Sequence, residues 1–152
     1  MSTNIERTLE NRTQGNTRLP LPWVSLLAIA TGAAANLGLY AVVGYLIPEV
    51  AVWPGTGPVQ IVGATFVYLL IATIVFAVIR RFSPRPARHY LILATVCLLI
   101  SLGPPIALGF GPGLPGVPPA SPAIAITLGL MHVISYAISV PMFIRLALES
   151  GR

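Results

Sequence analysis

The segment 59–79, VQIVGATFVYLLIATIVFAVI, has 21 residues without a single charged side chain, and Arg80 and Arg81 follow it at once. An α-helix rises about 1.5 Å per residue, so the segment is long enough to cross the roughly 30 Å hydrocarbon core of a bilayer. Paired arginines after such a segment are typical of a helix end that lies among lipid headgroups. The segment therefore predicts a transmembrane α-helix.

Three further segments have the same apolar character and predict three more transmembrane helices. Together the four spans cover about 23–47, 59–79, 90–109 and 122–147. The polar stretch 1–21 mixes both charges and has no apolar periodicity, so it is predicted to be a disordered cytoplasmic tail. The sequence thus predicts an all-α fold in which residues 22–148 form one four-transmembrane-helix bundle.

A secretory signal peptide is an alternative interpretation of the first span, because Ala33-Ala34-Ala35 resembles a weak cleavage site. The apolar stretch continues past these alanines as far as Val43, and the sequence that follows does not have the composition of a soluble domain. We therefore expect the first helix to remain uncleaved.

Two consecutive prolines interrupt the third span. Pro104 and Pro105 come after 14 residues counted from Tyr90, which corresponds to only about 21 Å of helix. Because proline has no backbone N–H, the carbonyls of Ile100 and Ser101 lose their helical partners. We predict that the third helix is broken near Pro104-Pro105. The stretch 103–122, with five glycines and seven prolines, is expected to form a cap or re-entrant loop rather than a regular helix.

Composition and charge exclude a soluble domain. Hydrophobic residues make up 55% of the chain and charged residues 9%, whereas soluble domains carry about a quarter charged residues. The net charge of +5 could suggest nucleic-acid binding, but the nine basic residues are all arginines and cluster at the ends of the apolar segments. We therefore expect no nucleic acid partner. The expected partner is the lipid bilayer, with anionic headgroups at Arg80, Arg81, Arg85 and Arg88.

The distribution of the arginines predicts the orientation of the spans. Three arginines precede the first span, four lie between the second and third, and two lie at the end of the chain. They are Arg7, Arg12, Arg18, Arg80, Arg81, Arg85, Arg88, Arg145 and Arg152. The connections between spans one and two and between spans three and four contain none. The positive-inside rule then predicts a multi-pass protein of the cell (plasma) membrane with both termini in the cytoplasm, N-in/C-in.

The few strongly polar side chains of the spans lie at similar predicted depths. They are Asn36 in the first span, Tyr68 in the second, Ser101 and Cys97 in the third, and His132 in the fourth. An amide or imidazole that faced lipid would cost several kcal/mol. We therefore expect Asn36 and His132 to face each other within a direct or one-water hydrogen bond, with Tyr68 or Ser101 completing a midplane polar layer.

Two tyrosines extend this candidate layer. Tyr40 follows Asn36, and Tyr136 follows His132, by four residues, which is one helical turn along the same face. Because the first and fourth spans run in opposite directions, the two tyrosines should lie on opposite sides of the layer. The layer has two interpretations: a small cavity that binds a ligand or passes a proton, or hydrogen bonds that hold helices together at about 0.6–2 kcal/mol each. The absence of a carboxylate from every span favours the second.

Known cofactor and metal sites need residues that the spans lack. A haem with two histidine ligands needs a second histidine at depth, but His89 lies beside Arg88 at the edge of a span. An intramembrane metalloprotease needs several acidic or histidine ligands, and the spans contain one histidine. Cys97 is the single cysteine, so there is no CxxC motif and no internal disulfide. We expect no cofactor and no metal.

Two enzyme-like patterns are weak. Serines and His132 occur in the spans, but no nucleophile motif surrounds them, so a serine protease is not indicated. Gly111, Gly113 and Gly116 fit the G-x-G-x-x-G pattern of nucleotide-binding loops, yet prolines occupy the turn and no strand precedes it. We expect a protein that is not an enzyme.

Several pieces of sequence occur together: Ala33, Asn36 and Tyr40 in the first span, RRFSPRPAR at 80–88, SLGPP at 101–105, and LGLMHVISYAISVPMF at 128–143. Over residues 22–147 this combination resembles the small four-helix bacterial membrane proteins of the domain of unknown function 6069 family. Its most specific piece is the Met131-His132 pair upstream of Pro141. The resemblance implies four helices and no established activity.

Two classes of function remain open at this point. The first is a non-enzymatic membrane scaffold or accessory subunit, associated with itself as a homo-oligomer or with another membrane protein. The alternative is a small transporter or ligand-binding bundle with a midplane polar site at Asn36 and His132. A sealed centre favours the first class, and a water-accessible cavity that reaches His132 favours the second.

Overall fold

The computed structural model describes residues 19–149, and within this range the chain is all-helical and has no strand. Helix α1 covers Leu21–Leu46, α2 Pro48–Val52, α3 Pro58–Phe82, α4 Pro86–Ser101, α5 Gly103–Phe110 and α6 Pro122–Ile144. A π-helical turn at Arg145–Glu149 extends α6. The described residues include four helical segments long and apolar enough to cross a membrane, which confirms the predicted four-helix membrane bundle.

Proline sets the start of every helix. Each of α1 to α6 has a proline at its first or second position. A proline is favourable there because the N–H that it lacks has no intrahelical acceptor, and its fixed φ already suits a helix. The first three spans therefore begin one to four residues earlier than the apolar pattern alone predicts, at Leu21, Pro58 and Pro86, whereas the fourth begins at Pro122 as predicted.

The third span is broken as predicted, but the chain becomes helical again immediately afterwards. Helix α4 ends at Ser101, and Leu102, with φ −78° and ψ −15°, links it to α5. The expectation that 103–122 contains no regular helix is therefore wrong for Gly103–Phe110 and holds for 111–121. The physical reason is that Pro104 and Pro105 lie in the first turn of α5, where proline is tolerated.

The bundle is organised around α1 and α6, which pack along each other, while α3 packs on α1. Helix α4 contacts both α3 and α6, whereas α5 packs mainly against α6. The close approach of α5 to α6 occurs at Gly109, where an added Cβ would lie 2.2 Å from the Cβ of Ala125. The break at Leu102 thus directs the second half of the third span onto α6.

The main apolar core lies at one end of the bundle, where α1 and α4 begin and α3 and α6 end. We call it the arginine end because Arg80 and Arg81 are in the last turn of α3. Three aromatic rings form its centre, with centroid distances of 4.9 Å for Phe76–Tyr90, 5.1 Å for Phe76–Phe143 and 5.8 Å for Tyr90–Phe143. These three side chains are fully or almost fully buried. Such rings contribute both apolar area and favourable edge-to-face contacts.

The opposite end, which we call the cap end, carries the short helix α2 and the 111–121 segment. The prediction of a disordered tail at 1–21 concerns mainly residues 1–18, which lie outside the described residues, as does Arg152.

Candidate functional site

Asn36 is the central polar residue of the bundle. Its side chain is only 3% exposed, and its Nδ2 donates to Thr65 Oγ1 at 3.0 Å and to Ser135 Oγ at 2.9 Å. One amide thus connects α1 with α3 and with α6. The Oδ1 atom of the same amide is buried and has no hydrogen-bond partner among the described residues. Asn36 therefore faces the bundle interior, where solvent cannot replace these bonds.

The predicted direct hydrogen bond between His132 and Asn36 is not formed. The imidazole Nδ1 instead hydrogen-bonds the Leu128 carbonyl of its own helix at 2.7 Å, so this nitrogen carries the proton. Asn36 reaches Ser135, three residues further along α6. The position of His132 within its span predicts its depth in the membrane but not the direction in which its side chain points. That direction depends on the rotation of the helix about its axis, and it decides which residue His132 contacts.

Tyr68 and Ser101 do not complete a layer around Asn36. Tyr68 lies against His132, with ring centroids 6.0 Å apart and ring planes at 60°. The Tyr68 side chain is 59% exposed, and its hydroxyl makes no hydrogen bond with another described residue. Ser101 donates to the Leu98 carbonyl of its own helix, and Cys97 is exposed. The polar residues thus form two groups, one around Asn36 inside the bundle and one, His132 with Tyr68, nearer its surface.

The two tyrosines lie on opposite sides of Asn36, as the antiparallel run of α1 and α6 predicts. Tyr40 donates to the Ala51 carbonyl of α2 at 3.2 Å, at the cap end. Tyr136 shares a 2.8 Å hydrogen bond with Thr95 of α4, nearer the arginine end. The latter is a polar link between the third span and α6.

Sequence reasoning missed the residues that Asn36 and Tyr136 bind. Thr65, Thr95 and Ser135 are small hydroxyl residues, and such residues usually bond the carbonyl one turn earlier in their own helix. Thr73 and Thr127 do so here, and Thr95 does so as well, at the Leu91 carbonyl, in addition to its bond with Tyr136. These partners could have been predicted from the hydroxyl residues that lie at the same depth as the intramembrane amide, because a hydroxyl oxygen can accept hydrogen bonds from the amide N–H groups.

The cap end is held by side chains from two connections. Trp53 donates its Nε1–H to the Pro119 carbonyl at 3.0 Å, and Ser121 donates to Glu49 Oε1 at 2.7 Å. Ser121 is also the N-cap of α6 and accepts from the Ile124 N–H. Thr56, fully buried, donates to carbonyls of Val50 and Trp53. The α1–α3 connection and the 111–121 segment are thus fastened to each other.

The arginine end has a cleft instead of a cap. Leu21, Ala77, Arg80 and Arg81 line a cleft of about 380 Å³ between the start of α1 and the end of α3. Beyond it, Ser83 hydrogen-bonds His89 Nδ1 at 2.6 Å and accepts from the Arg85 N–H, which shapes the short connection from α3 to α4.

The Asn36 group and the arginine cleft offer hydrogen bonds and positive charge. Within the described range, no three His, Cys, Asp or Glu side chains come together in a way that could hold a metal ion. The Asn36 group contains an amide and two hydroxyls, which bind and orient but do not exchange protons near neutral pH. The arginine cleft contains fixed positive charge.

Comparison with known proteins identifies the family. No curated protein and no solved structure shows a significant match to the chain. Residues 17–149 match a family of unknown function, DUF6069, which is the family that the sequence motifs resemble. The match covers all four membrane-spanning segments and most of the chain, so the protein belongs to the DUF6069 family of unknown function.

Proposed function

We propose that this protein is a non-enzymatic membrane scaffold or accessory subunit. The observation that carries the proposal is that polar side chains inside the bundle form hydrogen bonds from one helix to another. The Asn36 amide joins α1 to α3 and α6, and Tyr136 joins α6 to α4. Hydrogen bonds between helices stabilise a bundle in a bilayer. A substrate path would instead need these groups to be free, and Asn36 is almost fully buried.

The third span supplies the surface that a scaffold needs. Only Tyr90 of α4 and Pro105 of α5 are buried, whereas α6 has seven buried residues. The third span therefore lies at the edge of the bundle and leaves most of its side chains uncovered. We propose this face as the contact with a second membrane protein.

Site-specific photo-crosslinking in native membranes tests this role. A photoreactive residue at Leu99, which is exposed on α4, should give a protein adduct of defined mass. The same residue at Leu27, which is exposed on α1, is the matched control and should give lipid adducts only. An adduct at twice the mass of the chain would identify a homo-oligomer. Lipid adducts alone from both positions would contradict the scaffold role.

The second candidate function is a small transporter or ligand-binding bundle. One observation favours it: Tyr68 has a hydroxyl without a described partner at mid-span, beside the imidazole of His132. A polar hydroxyl that faces hydrocarbon is unfavourable, so a ligand with a hydrogen-bonding group would be stabilised there. The rate of proton leak across the membrane separates the two candidate functions. It is measured with the purified protein in vesicles that contain a pH-sensitive dye. The scaffold predicts the proton leak of empty vesicles, and a proton path predicts a faster leak that His132→Leu abolishes.

A further inference from the structure

The cleft at the arginine end is lined by two arginines, and none of its four lining residues is acidic. Arg80 and Arg81 line it from the last turn of α3, and neither guanidinium makes a hydrogen bond or ion pair with another described residue. The acidic residues of the described range are Glu49, whose carboxylate accepts from Ser121 at the cap end, and Glu149, the last residue of the π-helical turn. The cleft is therefore suited to an anion that its lining residues do not supply.

The geometry of the guanidinium groups indicates which kind of anion the cleft would bind. Arginine presents a planar fork of N–H donors that matches phosphate oxygens in pairs, and two arginines can bind one phosphate group from two sides. Helix α1 begins at the same cleft with Leu21 and has no side-chain N-cap. The positive end of its dipole therefore adds to the field of the arginines instead of being neutralised by a local side chain.

The rest of the cleft is apolar, which points to an amphiphile. Leu21 and Ala77 form the other walls, and below them the α1 and α3 surfaces continue into the membrane-spanning part of the bundle. Trp23, 61% exposed, lies two residues into α1, and tryptophan is favoured at the boundary between headgroups and acyl chains. A molecule with a phosphate at the arginines would thus have an apolar surface for its hydrocarbon part.

We propose that this cleft is a specific site for the phosphodiester headgroup of an anionic membrane lipid, held by Arg80 and Arg81. The site is distinct from the general attraction of the basic connection for anionic lipid, because Arg85 and Arg88 do not line the cleft. The lipid would bridge the start of α1 and the end of α3. The inference goes beyond the scaffold role and does not depend on it.

Binding of defined lipids to the full chain in neutral detergent tests the proposal. The measured quantities are the dissociation constant by native mass spectrometry and the rise in melting temperature. Phosphatidylglycerol should bind saturably and raise the melting temperature, whereas phosphatidylcholine at the same concentration should not. Inorganic phosphate and glycerol 3-phosphate supply the charged group without the chains and are expected to stabilise little. If either matches the lipid, the site takes soluble phosphate and the lipid assignment is wrong.

Two double variants with the same change in net charge form the matched comparison. Arg80→Gln with Arg81→Gln should weaken phosphatidylglycerol binding by about tenfold or more, the effect of losing one or two charge-assisted hydrogen bonds. Arg85→Gln with Arg88→Gln should leave the dissociation constant within about twofold, because these side chains do not line the cleft. Equal weakening by both pairs would show non-specific attraction and overturn the proposal.

A third variant guards against a folding defect. Arg80→Lys with Arg81→Lys keeps both charges but loses the planar fork, so it should bind phosphatidylglycerol with an intermediate dissociation constant. Its melting temperature without lipid should equal that of the wild type. Full binding by the lysine variant would show that charge alone suffices and would contradict the bidentate site.

Discussion

Asn36 shows how much one buried amide can organise in a membrane bundle. Its two Nδ2 bonds reach α3 and α6, while its Oδ1 remains without a described partner. An interhelical hydrogen bond between side chains in a bilayer contributes about 0.6 kcal/mol on average and up to about 1.7 kcal/mol. The amide is therefore a moderate stabiliser and a strong determinant of which faces of the three helices meet.

Replacing Asn36 with Leu should lower the free energy of unfolding by about 1–3 kcal/mol, because two interhelical bonds are lost and two buried hydroxyl oxygens lose the N–H groups that donate to them. Reversible unfolding in mixed micelles titrated with sodium dodecyl sulfate measures this change. A double-mutant cycle with Ser135→Ala isolates the α1–α6 bond and should give a coupling energy of about 0.5–1.5 kcal/mol. A coupling energy near zero would show that the bond does not hold the helices together.

His132→Leu is the contrasting change at the same depth. The imidazole bonds a carbonyl of its own helix and touches the Tyr68 ring, so leucine removes no bond between helices. We expect the free energy of unfolding to fall by no more than about 1 kcal/mol. A loss as large as that of Asn36→Leu in the same titration would mean that His132 holds the helices together as strongly as the amide.

The difference between these two residues marks the limit of sequence reasoning at the residue scale. Asn36 and His132 were both expected to face inward because each is the most polar side chain of its span. Hydropathy gives the depth of a residue to within about a turn, but the rotation of each helix depends on all its packed neighbours. Without knowing that rotation, Thr65 and Ser135 could not be distinguished from other hydroxyl residues as the partners of Asn36.

At the scale of the helix, prolines determine both the starts and the break. The break in the third span could be predicted from Pro104-Pro105 because a missing N–H is a property of the sequence alone. The return to helix in α5 places the same two prolines in a first turn, where proline is tolerated, and the pattern of prolines and glycines did not distinguish this from an irregular loop. The four spans were predictable because uncharged apolar segments of this length have few alternatives.

Gly109 tests whether the α5–α6 contact holds the second half of the third span in place. In Gly109→Ala the new Cβ would meet the Ala125 Cβ at 2.2 Å and the Ser121 carbonyl at 3.2 Å, so the helices must separate. Overpacking of this kind costs about 1–3 kcal/mol, which should appear as a lower melting temperature in detergent. Gly103→Ala is the control, since its Cβ meets nothing within 4 Å. An equal loss in the two variants would mean that Gly109 acts through backbone freedom and not through close packing.

The whole molecule is held differently at its two ends. Aromatic packing dominates the arginine end, whereas hydrogen bonds between connections close the cap end. The Trp53 ring covers Gly55 so closely that a Cβ there would lie 1.9 Å from it, and its Nε1–H fixes the Pro119 carbonyl. The sequence predicted only a structured cap or loop at this end. The hydrogen bonds that hold the cap could not be predicted because they join residues far apart in the sequence.

Trp53→Phe should therefore loosen the 111–121 segment without unfolding the bundle. The variant loses the Nε1 hydrogen bond, worth about 1 kcal/mol, and part of the ring that covers Gly55. We expect faster hydrogen exchange in 114–121 and unchanged exchange in α1 and α6. Tyr45→Phe, at a side chain 86% exposed, is the control and should change neither. Faster exchange throughout the bundle would show that the cap is needed for the fold itself.

The orientation of the molecule in the membrane is the last prediction, and it rests on charge alone. We propose that the arginine end faces the cytoplasm, because the α3–α4 connection contains Arg85 and Arg88 while both cap-end connections contain no arginine. Reporter fusions after residue 18, within 82–88 and after residue 150 should be active in the cytoplasm, and fusions at 54–56 and 112–116 outside. The 82–88 fusion decides between the two orientations. If it reports outside, the cap faces the cytoplasm and the lipid cleft lies in the outer leaflet.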